Sequence, residues 1–533
     1  MPKNFLVGIG GSGAKIAESA IFLCAAGFSP DTGGDQDKLF LFLVDPDRGN
    51  GNLVRTTKLI SSYLECKKDF QAHGNVRLFH TDLKVPDDEK DRVWTIFDKT
   101  DMTLSEWIGF EGLNKKEEKD EQDMMSVLFS KEELNTPLNM GFRGHPSIGS
   151  VVMTELPENN YPFKLLWDEL PEGKPFDVRL FLVGSVFGGT GAAGFPTLGH
   201  RNTLKFNRNK EAAVDEKANI SRILLGGSLI LPYFKVVKND DRADMHVTSS
   251  DFPIATKAAL EFYDTKDSLG FDQVYFVGDS LSQSVGEFSV GSTSQSNKPH
   301  YIEIVSSLAA FDFFSQEPVT VEKKEKETMY FIARRDSNRL DWNSLPFSRS
   351  EEKITKVRSD FKLRLATMTV FCYALVTYGR SILNAEEDAR NKDEFRHSWW
   401  KDNFKFKEDD FLNPRTARNK EYLQKVMRFA ESYLAWIIDI SDYDNVQLMD
   451  KTKLAEGGKW RSPVNLTLIG ELLKETSKKR GWADNGGFLQ CLDDEEINNK
   501  IAKDTRTFTA ANRLLNLFYE GAEKFARGNY TIN

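Results

Sequence analysis

The run Gly184-Ser185-Val186-Phe187-Gly188-Gly189-Thr190-Gly191-Ala192-Ala193-Gly194 follows directly on a β-type run at 176–183. The chain thus leaves a strand and enters a segment with almost no side chains. Glycine lets successive backbone N–H groups turn toward a common point and lets a ligand come close. A helix starting near Ala192 would add the attraction of its N-terminal dipole for phosphate. A second segment of this kind lies near the start, where Phe5-Leu6-Val7 runs into Gly8-Ile9-Gly10-Gly11-Ser12-Gly13-Ala14-Lys15. Two such strand-to-helix turns in one domain suggest a nucleotide held from two sides.

Through the first half, strand-like and helix-like runs alternate. Phe5–Ile9 reads as strand and Ala14–Ala26 as helix, while Lys38–Val44 is apolar after its lysine, the form of a strand buried on both faces. Val178–Val183, Ile223–Leu231 and Phe271–Val277 repeat that type, with helical pattern over Pro196–Lys205, Ile254–Asp264 and Tyr301–Phe314. The alternation predicts an α/β fold, a doubly wound and mainly parallel sheet. Beyond Pro318 the alternation fades. A strand-like Met329–Ala333 precedes mostly helical pattern over Glu351–Leu383, Arg418–Ile438, Leu466–Lys479 and Asp494–Phe525. A chain of 533 residues exceeds the usual limit of one core. The expected division is therefore an α/β domain over 1–316 and an α-rich C-terminal domain over 317–533. Mixed-charge runs mark about 84–137 as an inserted surface excursion.

Composition removes several classes. A formal net charge of −9 argues against non-specific binding to nucleic acid or to an anionic membrane. The four cysteines are scattered without a CxxC pair, which fits reduced thiols and offers no zinc site; no metal ligand set is expected. No apolar run approaches the roughly 18 uncharged residues of a membrane span, and Leu365–Tyr378 reads as a buried helix. The N-terminus enters a strand at once, leaving no room for a signal peptide, so a soluble cytoplasmic protein is expected.

Neither familiar single-loop motif accounts for both glycine segments. Gly8-x-Gly10-x-x-Gly13 matches the dinucleotide-binding fingerprint, but the acid after the next long strand, Asp45, comes later than the fingerprint asks. A Walker A reading fails because Ala14 precedes Lys15 and Ile16 replaces the metal-binding hydroxyl. Gly188–Gly194 is left unexplained by either.

The order of four loops resembles that of the tubulin/FtsZ superfamily of GTP-binding, filament-forming proteins, in particular its divergent bacterial members. Gly8–Lys15 is similar to the family's first loop, Asp45-Pro46-Asp47 stands where its second often carries an acid, and Gly144–Gly149 resembles its third. Gly188-Gly189-Thr190-Gly191-Ala192-Ala193-Gly194 matches its hallmark loop. The resemblance covers roughly residues 4–315 and does not extend to the helical C-terminal region. It implies GTP or GDP, with Mg²⁺, as the ligand. Gly10, Gly11, Ser12, Gly13 and Gly188, Gly189, Thr190, Gly191 would cradle phosphate. Lys15, at a position where bacterial members usually carry Asn, could add a phosphate contact. Arg143, beside Gly144, could reach a terminal phosphate, and Asp45 or Asp47 would stand behind the metal. Asn297 and Tyr301 would read and stack on the base, although Asn297 reads equally as a helix cap before Pro299.

In the family, hydrolysis needs an acid that a neighbouring subunit supplies from the loop after the central helix. Ser315–Lys323 lacks that loop's Asn-x-Asp-x-x-Asp pattern, and Glu317 and Glu322 are the acids available there. Head-to-tail assembly into oligomers or filaments follows from the same resemblance, with the C-terminal helices free for a protein partner. Two other readings stand beside it: a non-hydrolysing nucleotide-bound structural or sensor module, and a Rossmann-type NAD(P)-binding enzyme.

Overall fold

Strand residues of the first half are apolar on both faces, and the computed structural model buries them between two layers of helices. It describes residues 3–28, 38–72, 76–95, 102–114, 119–142, 145–154, 163–169, 178–208, 214–215, 220–221, 223–237, 251–265, 271–279, 283–287, 295–315, 319–320, 328–333, 351–379, 382–383, 397–404, 412–441, 455–456, 459–460, 487–505 and 509–529. The central sheet comprises β1 (Lys3–Ile9), β2 (Lys38–Val44), β3 (Asp82–Lys84), β4 (Val93–Trp94), β5 (Val178–Ser185), β6 (Ile223–Ile230), β7 (Gln273–Gly278) and β8 (Thr328–Ala333). Its order is β8-β7-β6-β5-β1-β2-β3, with β4 also on β2, and every one of these pairings is parallel. Strand order therefore reverses between β1 and β5.

Alternate residues serve opposite faces, as the period of a strand requires. Leu6, Leu39, Leu41 and Leu43 join one core, while Phe5, Val7, Ile9, Phe40, Phe42 and Val44 join the other. On the first face lie α1 (Gly10–Ala25), α2 (Gly51–Asp69), the central helix Tyr301–Phe314 and three long C-terminal helices, Glu351–Ala374, Ala417–Ile440 and Ala510–Asn529. On the second lie α3 (Pro146–Thr154), α4 (Gly189–Arg208) and α5 (Asp251–Thr265). In chain order the central helix is α6, and the three C-terminal helices are α7, α8 and α9. Helix α1 is buried almost all round, because it has the sheet beneath it and α8 above; Phe22 meets Trp436 at a ring separation of 5.0 Å. An all-round apolar helix belongs in such a position.

Two boundaries differ from expectation. Strand β8 pairs along its length with β7, so the division foreseen at 316/317 falls inside the sheet, and α7 and α8 share the core of α1 and α6. The region foreseen as a solvated insertion at 84–137 contributes β4 to the sheet, and Leu104, Phe129 and Leu134 to the second core. Its charged residues do face outward over the helix Lys119–Leu128, which buries none of its side chains. Among the described residues no helix is long and apolar enough to cross a membrane.

Candidate phosphate-binding site

The two glycine segments leave adjacent strands. β1 and β5 are neighbours, and α1 and α4 start immediately beyond them, at Gly10 and Gly189. Both helices begin earlier than the sequence suggests, so most of each glycine run is a first helical turn. The first N–H groups of a helix have no intrahelical acceptor. No side chain caps α1, and neither first turn carries an acid, an electrostatic setting that favours an external anion at these helix starts.

Their contact is close. Gly10 has φ +71°, and a β-carbon there would stand 3.3 Å from Thr190 Cβ and 3.4 Å from the Gly191 nitrogen. Gly13 serves a different purpose. A β-carbon on it would fall 2.6 Å from the Val183 carbonyl oxygen and 2.7 Å from the Gly8 carbonyl carbon, so its absence lets α1 settle onto β1 and β5. Gly191 likewise lies against Ser185, 2.7 Å from its carbonyl oxygen by the same measure. Gly11, Ser12 and Gly188 are the half-exposed positions of the cradle, with Gly189, Thr190 and Gly191 buried behind them. The start of α3 packs on α4 where Gly149 meets Ala193. Arg143 and Gly144, just ahead of it, lie outside the described residues.

β2 delivers the acids. Asp45, the first residue after that strand, is buried and accepts from the Asp47 amide at 3.0 Å, and Asn50 Nδ2 approaches its other oxygen at 3.4 Å. Burial pushes its carboxyl up to about 8; the Asp47 amide opposes the rise and the Asp47 charge adds to it. Asp47 is buried too and accepts from the Gly49 amide at 2.9 Å. Among the described residues no three His, Cys, Asp or Glu side chains gather as a metal site.

Beside the cradle stands an amide lattice that sequence reasoning missed. Asn50 caps α2 through the Asn52 amide and donates to Gln295 Oε1 at 2.9 Å. Asn52 and Asn297 pair in both directions, Nδ2 to Oδ1 at 3.2 Å and the Asn297 amide to Asn52 Oδ1 at 2.9 Å. A β-carbon on Gly11 would lie 3.0 Å from Asn50 Nδ2, so the lattice borders the cradle. Asn-Gly-Asn at 50–52 is a turn-and-cap signal that could have been read.

Three expected residues take other parts. Lys15 is buried and ion-paired to Glu303 at 2.5 Å, with Tyr233 Oη at 3.5 Å from its ammonium, so its charge is met inside the fold instead of by phosphate. Burial raises the Glu303 carboxyl, and Lys15 opposes that rise. Tyr301 is a core residue, 3% exposed, with its ring 4.5 Å from that of His300, so it does not offer an open face to a base. Asn297 is not the cap of α6; His300 is, its Nδ1 accepting from the Ile302 amide while Glu303 accepts from the His300 amide. Glu317 and Glu322 lie outside the described residues.

Comparison with known proteins finds no family model and no curated protein that matches this chain.

Proposed function

We propose that this chain is a tubulin-like protein that binds a guanine nucleotide, its phosphates held between the starts of α1 and α4. One observation carries the reading. Two glycine-rich helix N-termini, neither with an acid in its first turn, meet at the carboxyl ends of β1 and β5, where the strand order reverses, and ligands of open parallel sheets bind at such switch points. The order of loops, with acids after β2 and the Gly-Gly-Thr-Gly run after β5, favours the nucleotide triphosphate of a filament-forming protein. Backbone amides of Gly11, Ser12 and Gly188 to Gly191 would neutralise phosphate charge without side-chain bulk. Thr190 would add a hydroxyl. With no cluster of three His, Cys, Asp or Glu among the described residues, Mg²⁺ would rest on phosphate and water, with Asp45 and Asp47 behind. Asn297, already part of the amide lattice, remains the residue for the base edge. Catalysis would be positioning and charge stabilisation. Hydrolysis further requires an acid from a neighbouring subunit, for which Glu317 and Glu322 are the candidates.

A second reading has one observation in its favour. Asp45 directly follows β2, the place from which a dinucleotide-binding fold reaches a ribose hydroxyl, and the sheet order suits such a fold equally. That reading leaves the α4 end without a ligand.

The deciding experiment releases the nucleotide that co-purifies with the protein by heat and identifies it by chromatography. Guanine nucleotide supports the first reading, and NAD(P) sinks it. Sedimentation with GTP against GDP tests assembly, and phosphate release by Glu317→Ala and Glu322→Ala chains tests the acids.

A further inference from the structure

A separate cleft of about 640 Å³ opens where α1, α2, the 296–299 segment and α8 meet. Its size is that of a small-molecule site. It is not the glycine cradle. It begins at Glu18 and Phe22, which at 1.5 Å per residue stand about 10 to 16 Å along α1 from Gly11. Phe22 and Trp436 form an apolar wall of two rings, and the Trp436 indole nitrogen is buried without an acceptor among the described residues.

Charge gives the cleft its sign. Both of its acids are engaged: Glu18 holds Arg55 through two bonds at 2.7 and 2.8 Å, and Asp439 faces Lys298 at 3.3 Å. Lys58 and Arg428 also line it, and neither side chain makes an ion pair or hydrogen bond among the described residues, although the Arg428 charge is felt by Glu421 and Cys66. The chain as a whole is acidic, so two exposed cations without an ion-pair partner among the described residues, beside aromatic rings, single out this surface. Guanidinium and ammonium groups favour phosphate, sulfonate or carboxylate, and the rings favour a flat apolar body.

We propose that this cleft is a second ligand site, for an anionic small molecule that carries an aromatic ring. The ligand would join the sheet layer to α8, because Arg55 stands on α2 and Arg428 on α8. It would also touch the glycine cradle indirectly. Arg55 donates to the Asn297 carbonyl at 3.1 Å, Asn297 pairs with Asn52, and the neighbouring Asn50 borders Gly11. Asn297 itself lines the cleft, so the cleft adjoins the residue assigned to the base edge, and the test keeps that edge occupied.

The test uses 8-anilinonaphthalene-1-sulfonate, an aromatic sulfonate, on the full chain with saturating GDP present, followed by equilibrium dialysis. One saturable site per chain is expected. Charge reversal at the two exposed cations, Lys58→Glu with Arg428→Glu, weakens that binding at least tenfold. Ala435→Trp, which fills the cleft from an exposed position of α8, abolishes it. Both variants keep the wild-type melting transition and wild-type GDP binding. Absence of a saturable site overturns the proposal, as does equal affinity in either variant. Loss of GDP binding by the wild-type chain would instead count against the cradle alone.

Discussion

Lys15 and Glu303, far apart in sequence, meet at 2.5 Å in the layer between the sheet and the C-terminal helices, both almost fully buried. The pair ties the second turn of α1 to the first turn of α6. Taking two charges out of water costs several kcal/mol per ion, and the mutual attraction and added hydrogen bonds offset it. Removing one partner strands the other. Lys15→Met or Glu303→Gln alone should each destabilise the chain by about 3–5 kcal/mol. The double variant should recover most of that loss. Urea unfolding of the three variants measures this, and a double variant no better than its singles would mean that the two side chains do not act as a pair.

Gly10 offers a test of the cradle that separates strain from ligand contact. Its φ of +71° disfavours any side chain, and a β-carbon would press on Thr190. Gly109 has a comparable φ of +66° with nothing within 4 Å. Gly109→Ala should therefore cost only the conformational term, about 1–2 kcal/mol. Gly10→Ala should cost that amount and also lower nucleotide affinity at least tenfold, read by titration with a fluorescent guanine nucleotide. Thr190→Ala should weaken binding with little change in melting temperature.

These contrasts mark how far the sequence can be read. The strands were legible because residues such as Leu39 to Val44 are apolar on both faces, which only a covered parallel sheet requires. The starts of α1 and α4 were not legible, since glycine disfavours helix by about 1 kcal/mol and Ala14 and Ala192 look like better first residues. Close packing on Val183 and Ser185 decides the matter, and packing is invisible in a string. The glycine loops were found by composition alone. What surrounds them was not, because Asn52 with Asn297 and Lys15 with Glu303 are partners at long range with no spacing to betray them. The helical pattern over Glu351–Leu383, Arg418–Ile438 and Asp494–Phe525 does meet helices, α7, α8 and α9 among them, while Leu466–Lys479 lies outside the described residues. Nothing in the pattern says that these helices cover α1 and do not fold apart.

Asp45 should make stability depend on pH. Its carboxyl stands at about 8 in the fold against 3.8 as the ordinary value, so between these the folded state holds a proton that the unfolded chain has lost. Stability from this group is fully present below the ordinary value and is lost as pH rises through 8. Without nucleotide or divalent cation, the melting temperature should fall from pH 6 to pH 9. Asp45→Asn, which cannot ionise, should flatten that fall. An equally steep decline in the variant would assign the effect to another group.

Phe22 tests whether the sheet and the C-terminal helices unfold as one. Its ring contacts Phe429, Tyr433 and Trp436 of α8 at 5.6, 5.8 and 5.0 Å, while its own helix lies on the sheet. Truncating a buried phenylalanine costs about 3–5 kcal/mol, the lost transfer energy with the cavity left behind. If α8 belongs to the same cooperative unit as β1 and β5, Phe22→Ala should lower a single calorimetric transition without splitting it. Amide exchange in β5 and in α8 should then accelerate together. Faster exchange confined to α8 would make the C-terminal helices a separate unit, able to lift from α1 while the sheet stays folded.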